Sequence, residues 1–319
     1  MLILNHQEIA SALTHSEAIA AIEEAFQLFE ANGFHMPNRM HAHHRDNTLL
    51  LMPCFTDQFF GTKLVSVNPE NPAKGLPSIY GTMVLNDGAS GEPLALMNGA
   101  ALTAFRTGAV GGVGVKYTTP ESINSAGIIG TGVQGFTQAI FACKVRNIQN
   151  LYVFDTDEAK AKAFIARLQQ ELPEVKISAC QSNRELVENS QLIITATTSK
   201  KAVLPDDSEL LKGKHFIGIG SYKPDMHEFP TSLYPLLKKV YADTPFAREE
   251  SGDLATPLKE SLLQENQITS ISQLVANNRT AGEETTLFKS VGMALFDVVM
   301  AQKIYARALE RKLGTQVQL

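Results

Sequence analysis

Three glycines spaced Gly130-x-Gly132-x-x-Gly135 follow a short apolar run beginning at Ser125 and precede an apolar, helix-like segment from Phe136 to Val145. Strand, tight turn and helix in that order are what a dinucleotide-binding unit requires. The first glycine permits the turn, the second lets backbone amides approach a pyrophosphate, and the third lets the helix pack against the strand. The helix N-terminus then presents unpaired N–H groups and the positive end of its dipole to the phosphates. A second strand, Leu151-Tyr-Val-Phe-Asp155, ends in an acid 20 residues beyond Gly135, where a ribose-binding carboxylate belongs. Such a carboxylate repels a 2′-phosphate, and Thr156-Asp157-Glu158 adds further negative charge and no arginine, so NAD(H) is preferred to NADP(H). The competing role for Asp155 is to cap the helix that begins near Glu158.

Two cations outside this segment stand in apolar surroundings. Lys63 has Leu64, Val65 and Val67 as neighbours in a strand, and is either an edge residue facing water or a cation held beside a cofactor. Arg106 lies in Leu102-Thr-Ala-Phe-Arg-Thr-Gly108, on a helix of small and apolar residues. A buried arginine needs an anionic partner, which a bound carboxylate or a structural ion pair would supply. His41-Ala-His43-His44 would put two imidazoles on one strand face, yet no nearby carboxylate or cysteine completes a metal set. No metal is expected. Cys54 has no base beside it and reads as an inert thiol.

The elements that must position these residues fall into two groups. Thr14-His-Ser-Glu17 has capping-box form and opens an amphipathic helix with Ile19, Ile22, Phe26 and Phe29 on one face, stopped at Asn32-Gly33. Strand-like segments follow at Thr48–Cys54, Gly61–Val67, Ser78–Asn86 and Pro93–Asn98, with a turn over Asp87–Glu92, which predicts an antiparallel meander. A small-residue-rich helix spans Leu102–Lys116. Strand and helix then alternate, with strands at Gly127–Gly130, Leu151–Asp155, Val175–Ala179, Leu192–Ala196 and His215–Gly220. That alternation predicts a doubly wound parallel sheet. A last long helix is expected over roughly Thr285–Leu313, and Lys116-Tyr-Thr-Thr-Pro120 is the expected domain crossing.

The 319 residues suffice for two cores, and 44% apolar with 19% charged content is that of an ordinary globular chain. A net charge of −5 gives no support for a nucleic-acid or membrane-surface partner. With no run of 18 apolar residues, no leader-like start, and three isolated cysteines (Cys54, Cys143, Cys180), the expected setting is the cytoplasm.

Several segments together resemble the ornithine cyclodeaminase/mu-crystallin family: Gly61-Thr-Lys-Leu-Val-Ser-Val67, Leu76-Pro-Ser-Ile-Tyr-Gly81, Leu102-Thr-Ala-Phe-Arg-Thr107, Ile128-Ile-Gly-Thr-Gly-Val-Gln134, Ile194-Thr-Ala-Thr-Thr-Ser199 and Thr286-Leu-Phe-Lys-Ser-Val-Gly292. They run in family order over nearly the whole chain. The resemblance implies a Rossmann NAD-binding domain at 119–294 and an α+β domain for substrate binding and dimerisation, residues 1–118 with 295–319. It implies a homodimer, with the last helix returning to the N-terminal domain, and a catalytic cleft between the domains. Carried over by motif, Arg39, Lys63 and Arg106 would bind the substrate carboxylate or imine centre. Thr107, Gly130, Gly132, Val133, Gln134, Asp155, Thr197 and Ser290 would contact the cofactor, with Ser78 a further nucleotide contact. Val291 would border the substrate.

Members of this family form or reduce an imine beside a carboxylate, so the pocket decides the substrate. Where ornithine cyclodeaminases resemble one another in a Gly-Gly-Asp segment, this chain has Gly220-Ser-Tyr222; where they place a glutamate before Met52-Pro53, it has Leu50. A distal ammonium would find no carboxylate in either place. Gly220-Ser-Tyr-Lys-Pro-Asp-Met226 is more similar to ketimine reductases of the mu-crystallin type. The expectation is therefore an NADH-dependent reductase of a small cyclic 2-imino acid, such as Δ1-pyrroline-2-carboxylate, giving L-proline, with Δ1-piperideine-2-carboxylate a second substrate. Lys63 or Tyr222 would deliver the proton. The alternatives are an alanine dehydrogenase, an ornithine cyclodeaminase, or a nucleotide-binding protein without turnover.

Overall fold

The computed structural model describes residues 1–318, apart from the side chain of Pro72. The chain divides into two compact units, Met1–Arg106 with Met293–Leu319, and Thr107–Gly292. The expected crossing at Lys116–Pro120 is not where this division falls; it lies inside the helix Gly99–Thr118.

In the first unit, β1 (Leu2–Leu4), β2 (Phe34–His35), β3 (Met40–His44), β4 (Asn47–Thr56), β5 (Phe59–Val67), β6 (Ile79–Asp87) and β7 (Pro93–Asn98) form one mixed sheet. The strands β4 to β7 are the antiparallel meander that the turn signals predict. Strand β1 runs parallel to β7, and the short strand Thr315–Gln316 pairs with β1. One face of the meander is dry: Met52, Cys54, Met83, Leu85, Ala95 and Met97 are buried, as alternation along a half-covered sheet demands. The helix Ala294–Arg311 lies over it, against the helix His15–Glu30. Phe26 meets Phe296 edge to face at 4.9 Å between centroids, and Glu17–Arg307 and Glu24–Lys303 pair at 2.7 Å along the rim. The capping box forms as expected: the Thr14 amide donates to Glu17 Oε2 at 2.8 Å, and the Glu17 amide to Thr14 Oγ1 at 3.2 Å.

The second unit is built on eight parallel strands: β8 (Ser125–Ile129), β9 (Asn150–Phe154), β10 (Lys176–Ala179), β11 (Leu192–Thr195), β12 (His215–Gly218), β13 (Val240–Ala242), β14 (Ile268–Ser270) and β15 (Thr286–Lys289). Their spatial order is β10-β9-β8-β11-β12-β15-β13-β14, a doubly wound Rossmann sheet whose order reverses beside β8. The expected helix Thr285–Leu313 is corrected here. Thr286–Lys289 is a strand between β12 and β13, and the helix starts only at Ala294. All four residues of β15 are buried, and an apolar run covered on both faces carries no period that separates strand from helix.

Strand β8, the glycine turn and the helix Val133–Val145 follow one another without an extra residue. Gly130 takes φ +99°, closed to most side chains. A Cβ on Gly135 would collide with the Gly130 carbonyl, so this glycine sets how closely the helix approaches the strand. Gly132 differs, because a Cβ there would meet nothing within 4 Å. Packing within the protein gives no reason for that glycine, whereas a ligand approaching the backbone does. Gly135→Ala is expected to lower stability by about 1–3 kcal/mol through overpacking. Gly132→Ala should leave thermal denaturation unchanged. A fall in melting temperature for Gly132→Ala comparable with that of Gly135→Ala would contradict this division of labour.

Candidate active site

Lys63 projects from β5 onto the dry face of the first sheet, between its cross-strand partners Met52 and Met83, and is only 2% exposed. The edge-residue reading is therefore excluded. An ammonium in that setting needs an anion. Asp297, in the first turn of the helix Ala294–Arg311, supplies one, with Lys63 Nζ 2.9 Å from each carboxylate oxygen. Arg106 Nε donates to Asp297 Oδ1 at 3.0 Å, so one buried carboxylate is shared by two buried cations. Burial pushes the Lys63 ammonium down to about 8; Asp297 opposes this, while Arg106 and Arg39 add to it by repulsion. For Asp297, burial acts upward, but the charges of Arg106 and Lys63 prevail and hold its carboxyl below the usual range.

The other expected residues of the first unit lie on or beside the same sheet. Arg39, half-buried in the segment between β2 and β3, is close enough for its charge to act on Lys63. Leu50 pairs with Val65 and so shares the Lys63 face of the sheet. Ser78 closes the loop into β6, its carbonyl accepting the Asn68 amide at 2.8 Å. Cys54 is on the same face, its thiol pushed up to about 12 by burial and by Asp297, which leaves it inert as a nucleophile. The histidines of β3 are exposed, His43 Nδ1 lying 3.0 Å from Thr48 Oγ1. Among the described residues no group of three His, Cys, Asp or Glu could hold a metal ion, and no helix is long and apolar enough to cross a membrane.

In the second unit, a cavity of about 890 Å³ opens at the C-terminal ends of β8, β9 and β11. Gly130, Gly132, Asp155 and Thr197 are among the residues that line it. Asp155 Oδ2 accepts the Thr131 amide at 2.9 Å and the Thr131 hydroxyl at 2.6 Å, and its Oδ1 accepts the Asp157 amide at 3.0 Å. Burial raises its carboxyl, but these donors outweigh it and the net displacement is downward. The helix Glu158–Glu171 is capped by Asp157, not Asp155, which removes the capping role as the reason for this acid. The helix Val133–Val145 has no side-chain cap, Val133 at its start is 68% exposed, and the buried Gln134 Oε1 has no partner. Open space at Gly132 and an uncapped helix start fit a dinucleotide pyrophosphate.

Six of the expected residues of this unit are not in its lining: Val133 and Gln134 of the helix start, Thr107, Ser290, Val291 and Tyr222. Thr107 is buried in its helix, its carbonyl accepting Gln138 Nε2 at 2.7 Å. Ser290 donates to Asp243 Oδ2 at 2.6 Å, and the amides of Val291 and Gly292 bond the same carboxylate. Tyr222, 43% exposed, stands in the turn after β12.

Asp297 and Asp243 escape the sequence reading, as does a fully buried cluster of Glu228, Asp253 and Lys289. A signal for Asp297 was present: an acid between Phe296 and Val298, on the apolar stripe of a helix, when two apolar segments elsewhere each carry an unmatched cation. Lys289, following Leu287 and Phe288, poses the same demand.

The chain matches the model of the ornithine cyclodeaminase/mu-crystallin family over residues 1–312. A Δ1-pyrroline-2-carboxylate reductase of Bacillus cereus (strain ATCC 14579) is 34% identical over 330 residues, covering all of both chains. The structure of Thermococcus litoralis Δ1-pyrroline-2-carboxylate reductase in complex with NADH and L-proline is similar at a TM-score of 0.92 and 34% identity, over 99% of this chain and 100% of that one. An archaeal alanine dehydrogenase dimer with bound NAD is similar at a TM-score of 0.90 and 29% identity, over 100% and 99% of the two chains. With a Rossmann sheet in the second unit, paired buried cations in the first, and a match along nearly its full length, this chain belongs to the ornithine cyclodeaminase/mu-crystallin family.

Proposed function

We propose that this protein reduces a small cyclic 2-imino acid with NADH, converting Δ1-pyrroline-2-carboxylate to L-proline and accepting Δ1-piperideine-2-carboxylate as a close analogue. The observation that carries this reading is the Lys63–Asp297–Arg106 triad, in which two cations share one anion. The surplus charge suits a single substrate carboxylate. Leu50 on the same face offers nothing to a distal ammonium, which argues against ornithine. The likeness to the bacterial and archaeal reductases over whole chains supports the substrate, and the NADH and NAD bound to the archaeal neighbours support the cofactor. A cytoplasmic setting is in keeping with three unpaired cysteines.

Residues 119–294 form the nucleotide domain in this proposal, and 1–118 with 295–319 the substrate and dimerisation domain. Gly130, Gly132, Val133 and Gln134 would take the phosphates and Asp155 the ribose, with Thr107, Thr197, Ser290 and Ser78 making the remaining contacts. When bound, NADH supplies the hydride that the imine carbon takes up. Arg106, its Nε committed to Asp297, offers its terminal nitrogens to the substrate carboxylate as a planar fork, with Arg39 as a second cation and Val291 beside the ring. Holding the carboxylate fixes the imine carbon, so binding becomes orientation. Lys63 holds a proton at Nζ for the imine nitrogen, which makes that carbon electrophilic; burial and two arginines weaken its hold on the proton toward neutral pH. Tyr222 is the competing donor.

The test is a comparison of NADH oxidation with Δ1-pyrroline-2-carboxylate and with pyruvate plus ammonia, alongside L-ornithine turnover with NAD. The cyclic imine is expected to give the highest kcat/KM. A higher value for pyruvate plus ammonia would reassign the chain to alanine dehydrogenase, and ornithine turnover would reassign it to cyclodeaminase. In the same assay, Asp155→Ser should narrow the preference for NADH over NADPH. A wild-type preference for NADPH would overturn the role given to Asp155.

Arg106→Ala should lower kcat/KM by roughly 30- to 1000-fold, as for loss of a charge-assisted contact worth about 2–4 kcal/mol, and Arg106→Lys should recover only part of it. The Lys63 proton is present below about 8 and lost above it, so kcat should fall as pH rises through about 8. Lys63→Met should depress kcat and abolish that alkaline limb. An unchanged limb in Lys63→Met would exclude lysine as donor in favour of Tyr222.

Homodimer formation is part of the proposal. The face of the first sheet opposite Lys63 carries Leu49, Leu51, Phe55, Phe60 and Leu64, and Leu49 and Phe55 are more than 40% exposed. Phe55 and Phe60 stack at 5.1 Å, and such a contiguous apolar face suits a second copy. Light scattering should give twice the chain mass for the wild type and the chain mass for Leu64→Arg. A monomeric wild type at micromolar concentration would refute it.

A further inference from the structure

Glu228 is fully buried in the second unit, and all of its acceptor capacity is spent on two loops. Its Oε1 accepts the Thr197 amide at 2.8 Å and the Thr197 hydroxyl at 2.9 Å, at the end of β11. Its Oε2 accepts the amides of Gly220 at 2.8 Å and Ser221 at 3.1 Å, in the turn after β12 that leads into Tyr222. Behind it, Lys289 Nζ stands 3.9 Å from Glu228 Oε2 and 3.1 Å from Asp253 Oδ2, and Asp253 Oδ1 accepts the Glu228 and Phe229 amides. The approach leaves no room for a side chain, since a Cβ on Gly220 would collide with the Thr197 backbone and with Glu228 Oε1.

The charge count shows why this is more than an ion pair. Two buried carboxylates face one buried ammonium, so charge balance alone would be better served by a neutral residue at 228. Burial and Asp253 push the Glu228 carboxyl above its usual range while Lys289 and the Thr197 donors act against this, so the acid sits there at a cost that its N–H and O–H donors offset. Here those donors lie just beyond the last paired residues of β11 and β12, where the ladder between the strands has ended, and an acceptor with two equivalent oxygens satisfies both sets.

We propose that Glu228 is a positioning residue that fixes the Thr197 end of β11 and the Gly220–Tyr222 turn as one rigid rim, with Lys289 and Asp253 holding its carboxylate in place. This rests on the nucleotide and substrate roles proposed above for Thr197 and Tyr222.

Glu228→Gln tests it, because the amide balances the charge of Lys289 and Asp253 yet turns an NH2 toward one of the two loops. A structural charge role forecasts an unaltered or raised melting temperature with unchanged ligand binding. The clamp forecasts that the folded variant binds NADH about tenfold more weakly in a fluorescence titration, with a higher KM for the imino acid. Gly220→Ala should reproduce the defect. Unchanged NADH affinity and kcat/KM in folded Glu228→Gln would overturn the proposal. Independently of any variant, the amides of Thr197, Gly220 and Ser221 in the wild-type protein should resist hydrogen exchange as strongly as those of β11 and β12, and rapid exchange at these three would overturn it as well. Failure of the wild type to bind NADH at all would instead sink the nucleotide reading, and the exchange result would still decide the clamp.

Discussion

The charge shared among Lys63, Asp297 and Arg106 is the constraint on which the first unit turns. Removing one member of a buried ion pair typically costs about 3–5 kcal/mol, a large part of any domain's net stability. Lys63 on the sheet and Arg106 on the helix Gly99–Thr118 can therefore be buried only with the helix Ala294–Arg311 beside them, and that helix brings the aspartate. The same arrangement lowers the lysine's affinity for its proton and commits one edge of the arginine. A single carboxylate thus both permits the burial and sets how tightly the lysine holds its proton.

Backbone and side-chain chemistry divide the work differently in the second unit. Around the glycine turn the protein uses little more than absent side chains and exposed amides. At the ends of the later strands it uses buried acids. Glu228 bonds the loops after β11 and β12, Asp243 those after β13 and β15. Parallel strands end with their last carbonyls and following amides unpaired, and loops there have no hairpin partner to define them. Carboxylates from neighbouring segments supply the definition.

Much of the architecture was legible in the chain because it is written in local periods. The Thr14–Glu17 box, the alternation of β4 to β7 and the Gly130–Gly135 turn each depend on residues a few positions apart, and each appears where the pattern places it. Strand β15 resembles a helix in sequence because four buried residues have no exposed face to reveal their period. Asp297 is not legible in the chain for another reason: its partners lie 191 and 234 residues away, beyond any window in which spacing has meaning. What could have exposed it is a balance of charges, since each buried cation demands an anion that only some other apolar segment can provide. Asp155 shows the converse. Its position after a strand was readable, but that Asp157 takes over the capping emerges only from the geometry.

The order of synthesis gives the two units different histories. The second is one uninterrupted stretch, Thr107–Gly292, whose eight strands are all available once Lys289 has left the ribosome. The first is split, and its nascent portion carries Lys63 and Arg106 without the acid that neutralises them, since Asp297 is translated 191 residues after Arg106. At roughly 5–20 residues per second that interval lasts on the order of ten seconds or more, during which Lys63 and Arg106 are without that anion. The two units therefore depend on the final helix differently: a chain interrupted before it holds all eight strands of the second sheet but lacks the one acid that lies between Lys63 and Arg106.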